Sequence, residues 1–139
     1  MAYSLNDLYS GLRSVMRVDG LVSVGGGLLL VLAPRAVLSV AGIYNGEVVW
    51  PDRLAGSLLI ALGVLLLLSA QDRIVSTASM VAMLIANALM AIVLVISYLQ
   101  GEFAGISLFG QIALILLFLV CVVSAIVPVR YLRTDYVVL

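Results

Sequence analysis

The sequence predicts an all-α integral membrane protein, a four-helix bundle with both termini on the same side. Three observations carry this. The 139 residues are 65% apolar and only 10% charged, and the mean hydropathy is +1.30; a soluble chain of this size needs roughly a quarter of its residues charged. Four uncharged stretches are long enough to cross about 30 Å of hydrocarbon as helix, which takes about 20 residues. No stretch alternates apolar and polar residues as a transmembrane barrel strand must.

The first span is expected at about 14–33, within a single domain covering 1–139. Its charges crowd the start, with Arg17 and Asp19 just before the apolar run from Gly20 to Ala33. A helix N-capped near Asn6 would align Leu8, Leu12 and Met16 at i, i+4, i+8 and feed the span from the interface. Ala33-Pro34-Arg35-Ala36 superficially resembles a signal-peptide cleavage region, but the proline disfavours cleavage and the preceding segment carries Asp as well as Arg, so the span is read as retained. The loop 34–51 is mostly apolar over Ala36 to Ile43 and ends in the turn signal Tyr44-Asn45-Gly46, which predicts a short interfacial helix or a segment folded back on the bundle.

The second span is expected at about 53–71, the third at 74–99 and the fourth at 106–128. Pro34, Pro51 and Pro128 are placed outside the spans or at their ends, so that none interrupts a helix interior. Tyr3, Tyr9, Tyr44, Trp50, Tyr98, Phe103, Phe109, Tyr131 and Tyr136 fall near span ends, where amphipathic rings suit the headgroup region, and Phe118 alone lies deep. Arg13, Arg17, Arg73, Arg130 and Arg133 fall on the terminal side against Arg35 and Arg53 opposite, which predicts cytoplasmic termini.

What the chain lacks limits its chemistry. It has seven Arg, five Asp, two Glu and no Lys or His, with zero net charge. No basic cluster suits nucleic acid. Without His there is no imidazole-ligated haem, pigment or metal site. Cys121 is the one cysteine, so no Cys pair forms within the chain, and it reads as a small buried hydrophobe. No catalytic, cofactor-binding or metal-ligating residue is assigned. Spans two, three and four hold no Asp, Glu or Arg, so no central charge marks an ion pathway there. Asp19 is placed one turn inside the cytoplasmic boundary and read as an interfacial carboxylate neutralised by Arg17 or Arg73, in preference to a proton site.

Two faces remain. In the third span Ser76, Met80, Met83, Asn87, Met90, Leu94 and Ser97 recur at steps of 3 and 4 and share one face, with Asn87 near the midpoint. An interhelical seam in which Asn87 finds a hydrogen-bond partner is preferred to an adaptable pocket for an apolar ligand. Gln111, a turn into the fourth span, is a candidate partner for Asn87 or for an external ligand. In the first span Ser23 and Gly27 form a small-xxx-small pair. An internal echo relates Arg17-Val-Asp-Gly20 and Gly27 to Arg53-Leu-Ala-Gly56 and Gly63 at an offset of 36 residues. A Leu-rich alphabet produces such matches cheaply; alternatively, glycines spaced 7 apart thin one face of each helix so that the first two spans pack closely.

The order of these features resembles the small four-span DoxX-like bacterial membrane proteins: a Leu-rich run closing in Ala-Pro (Gly27 to Pro34), Gly42 in an apolar loop, Arg53-Leu-Ala-Gly56 with Gly63, and an Asn in the third span. The resemblance implies a compact four-helix bundle in a bacterial inner membrane and, for its best understood members, association with a quinone-reducing or other respiratory partner. The leading expectation is a non-catalytic integral subunit that packs against a larger membrane complex or against its own copies. The alternative is a binder of an apolar small molecule such as a quinone, carotenoid or lipid, and an enzyme ranks last.

Overall fold

The computed structural model describes residues 9–42, 50–72 and 75–135. The described chain forms α1 (Ser10–Leu32), α2 (Pro34–Ala41), α3 (Trp50–Ser69), α4 (Thr77–Leu99), a 3-10 turn (Glu102–Gly105) and α5 (Leu108–Asp135). Four of them, α1, α3, α4 and α5, are long and apolar enough to cross a membrane. The protein is an all-α, multi-pass four-helix membrane bundle. Tyr9 and Tyr131 stack at 5.7 Å, which brings the start of α1 and the last turns of α5 to the same end.

Local chemistry sets the boundaries. Proline disfavours helical geometry in the residue before it, and Ala33 (φ −135°, ψ 53°) leaves the helix there, while Pro34 opens α2 where its missing N–H is harmless. Gly42 closes α2 with φ 78°, a left-handed conformation that favours glycine. The α2 helix folds back on α5: the Ser107 N–H donates to the Ala41 carbonyl at 3.0 Å and the Ser107 hydroxyl to the Val40 carbonyl at 2.8 Å. Asp52 sits in the first turn of α3, where a carboxylate favours the helix dipole. Ser76 caps α4, its Oγ accepting from the Ser79 N–H at 3.1 Å. The Ser79 hydroxyl then bonds Ser69 Oγ at 2.9 Å, tying the α3–α4 connection from inside.

The first helix runs from Ser10, ahead of the span expected at about 14–33, and Leu12 and Met16 on its inner edge are fully buried. The expected cap at Asn6, with Leu8 and the turn at Tyr44-Asn45-Gly46, lies outside the described residues. The larger correction concerns Pro128, which sits inside α5; the helix continues past it to Asp135. Its ring is fully buried, and the cost is the bond its absent N–H would have made to the Ser124 carbonyl. Membrane helices tolerate this where the freed carbonyl is covered by protein.

Backbone approaches run α1–α3, α4–α5, α1–α5 and, weakly, α3–α4, which sets the four long helices in that ring order. In the tightest of these pairs, α1 and α3 meet through two glycine crossings, Gly20 with Gly63 and Gly27 with Gly56. The main apolar cluster, Leu12, Met16, Leu66, Ala70, Val75, Met80 and Met83, fills the half of the bundle nearer the termini.

Candidate functional site

The buried polar residues converge on the middle of the bundle. Asp19, near the centre of α1, is only 4% exposed, as is Asn87 near the centre of α4. The two helices are diagonal in the ring, and their side chains span the interior: Asn87 Nδ2 donates to Asp19 Oδ2 at 2.7 Å. The second amide hydrogen goes to the Met83 carbonyl one turn back at 3.0 Å, which fixes the carboxamide against its own helix. From α5, the Ser124 side chain is a second hydrogen-bond partner of the Asp19 carboxyl. Cys121, one turn away on the same face, lies within electrostatic reach of it. Both α5 residues are 1% exposed. Ser23, one turn above Asp19 on α1, is buried as well.

Physical cost argues that this cluster is not incidental. A carboxylic side chain at the centre of a membrane helix costs about 2.5–3.5 kcal/mol on insertion scales, and an interhelical hydrogen bond returns about 0.6–2 kcal/mol. Two side-chain partners are therefore what an interior Asp requires, and acidic groups in such positions mark functional pathways more often than surface.

The expected placements divide accordingly. Asp19, expected as an interfacial charge beside Arg17 or Arg73, has its side chain inside the bundle and bonded to Asn87, whereas Arg17 is exposed and Arg73 lies outside the described residues. The reason is periodicity: Asp19 follows Leu12 and Met16 on the buried face of α1, and Arg17 points away. The face of α4 turns inward as a seam, with Met80 and Met83 fully buried, Asn87 at the polar cluster and Met90 half-buried. Gln111 does not meet Asn87; it is exposed, and its Nε2 donates to the Ile106 carbonyl at 3.2 Å. Ser23, Gly27, Gly56 and Gly63 are buried, and the three glycines lie in the α1–α3 contact, where a Cβ on Gly27 would stand 2.5 Å from the Gly56 oxygen. Gly20, the first glycine of the sequence echo, joins the same contact against Gly63, and sequence reasoning missed Ser124 as a polar residue of the interior. The signal for Ser124 was present: Gly110, Cys121, Ser124 and Pro128 fall on one face of an otherwise Leu-, Ile- and Val-rich helix.

A second feature lies at the end away from the termini. A groove of about 740 Å³ runs between α4 and α5 under the 3-10 turn, lined by Leu94, Tyr98, Phe103, Leu114 and Phe118 with Gln111 along it. Tyr98 and Phe103 meet there with ring centroids 6.3 Å apart. The volume falls within the range of sites that hold small apolar molecules.

Comparison with protein-family models, curated proteins and solved structures finds no match to this chain.

Proposed function

We propose that the chain is a non-catalytic integral membrane subunit that packs against another transmembrane chain, of a larger complex or of its own kind, through the α4–α5 groove. The observation that supports this is Gln111. Its carboxamide is exposed on an apolar wall within a span, where lipid offers no hydrogen bonds, and one bond to Ile106 leaves polar capacity for a neighbouring helix. Large apolar residues elsewhere on the outer faces, among them Leu21, Leu58 and Leu89, suit lipid. The DoxX-like resemblance favours a respiratory or other electron-transfer complex as the partner. The same resemblance favours a bacterial inner membrane, and the Arg distribution favours cytoplasmic termini.

A second reading, a binder of a quinone, carotenoid or lipid, is favoured by the groove's volume and aromatic lining rather than by the Met-Asn face, which is occupied by Asp19. Photocrosslinking in intact membranes separates the two. A crosslinker at Gln111 should capture a protein chain, while the same group at Leu58 on α3 should capture only lipid. Protein capture equal at both positions, or at neither, would overturn the subunit reading, and an apolar molecule recovered from Gln111 alone would favour the second.

A further inference from the structure

We infer that Asp19 is a proton-binding site in the interior of the bundle, its carboxyl taking up and releasing a proton between Asn87 and Ser124. The partners are of two kinds. Asn87 Nδ2 can only donate, and it does so to Asp19 Oδ2 at 2.7 Å, so that oxygen is an acceptor in either state. The Ser124 hydroxyl can donate or accept. Facing a carboxylate it donates; facing a carboxylic acid it accepts the acid's O–H. Turning one hydroxyl hydrogen therefore serves both states without moving a heavy atom.

The surroundings supply no fixed counter-charge among the described residues. Within α4 no residue from Thr77 to Leu99 is charged. On α5 the titratable group near Asp19 is the Cys121 thiol, and the first charged residue is Arg130, beyond Pro128. On α3 the charged residues are Asp52 and Arg53, in its first turn at the opposite end from Gly63, the residue that meets Gly20 beside Asp19. On α1 itself Arg17 is exposed and Arg13 Nη2 donates to the Asp72 carbonyl at 2.9 Å, toward the terminal end. Proton transfer is therefore the way this carboxyl can lose its charge while it stays buried. Packing is also one-sided: the fully buried large side chains, Leu12, Met16, Leu66, Met80 and Met83, lie toward the termini, and on the other side the buried residues of α1 are Ser23 and Gly27.

The inference does not depend on the groove or on any partner chain. Its test uses the full chain in phosphatidylcholine vesicles treated with dicyclohexylcarbodiimide. This apolar reagent needs the protonated acid: the O–H proton moves to a carbodiimide nitrogen, the carboxyl oxygen adds to the central carbon, and acyl shift gives a stable N-acylurea. Peptide mass spectrometry should find the adduct on Asp19 in preference to Asp52, Asp72 and Glu102, falling several-fold from acidic to alkaline buffer. Infrared difference spectra over the same step should lose a carboxylic-acid carbonyl band that Asp19→Asn lacks. In Ser124→Ala the labelling midpoint should move and in Ser124→Thr return, which a merely structural serine would not do. An Asp19 that stays unlabelled, or whose labelling is indifferent to pH, in wild-type folded chain overturns the assignment; the wild-type result stands even if a variant fails to fold.

Discussion

Gly27 of α1 and Gly56 of α3 occupy each other's side-chain space: a Cβ on Gly27 would stand 2.5 Å from the Gly56 carbonyl oxygen, and one on Gly56 2.7 Å from the Gly27 oxygen. Seven residues away the contact repeats, with a Cβ on Gly63 falling 2.7 Å from the Gly20 oxygen. The flanking contacts obey the same exchange. Gly27 meets Ile60 where Gly63 meets Val24, and Gly20 meets Leu67 where Gly56 meets Val31. Each partner is displaced by the 36 residues of the sequence echo (24 to 60, 31 to 67), so the echo is a local two-fold relation between antiparallel helices.

Replacing Gly27 or Gly63 by Leu should therefore cost on the order of 1–3 kcal/mol by overpacking, read as a lower melting temperature in detergent. Gly25→Ala is the matched control, since a Cβ there meets nothing within 4 Å. It should be neutral or stabilise by up to about 1 kcal/mol through helix propensity. Equal effects at Gly25 and Gly27 would refute the close contact.

The α2–α5 clasp gives a second outcome. A Cβ at Gly110 would meet the Ala41 oxygen at 2.6 Å, and the Ser107 hydroxyl holds Val40. Gly110→Val should detach α2, raising amide exchange over Pro34–Ala41 while the long helices keep their protection.

Much of this arrangement was legible in the sequence, and the exceptions have a common cause. Span number, the inward Met-Asn face of α4 and the glycine spacing follow from hydropathy and from the 3.6-residue period, which are local properties. Charge pairing alone points Asp19 to Arg17 or Arg73, whereas the partners it meets in the bundle, Asn87 on α4 and Ser124 on α5, are far away in sequence and carry no charge. Pro128 reads as the end of a span because its local penalty is large; burial against neighbouring helices offsets that penalty, and no local rule reports it.

Within the α3–α4 connection, Ser69→Ala removes one buried hydroxyl and leaves Ser79 with Ser76, 2.8 Å away. The loss should be about 1 kcal/mol or less. Ser79→Ala removes both bonds and should cost more, a ranking that thermal melts of the two variants will check.

Topology is open to direct labelling. A Cys introduced at Asn45 should react with an impermeant maleimide from outside intact cells, and a reporter fused after Leu139 should read cytoplasmic. Labelling only after the membrane is opened would reverse the orientation.

The pairing of Asp19 with Asn87 across the bundle is the central claim, and a double-mutant cycle measures it most directly. Stability in detergent would be compared for Asp19→Leu, Asn87→Leu and both together. Each single change leaves the other buried polar group short of one partner, so the double variant should be less destabilised than the sum of the singles, with a coupling of about 1 kcal/mol. Additive effects of the two substitutions would show that the carboxyl and the carboxamide do not meet.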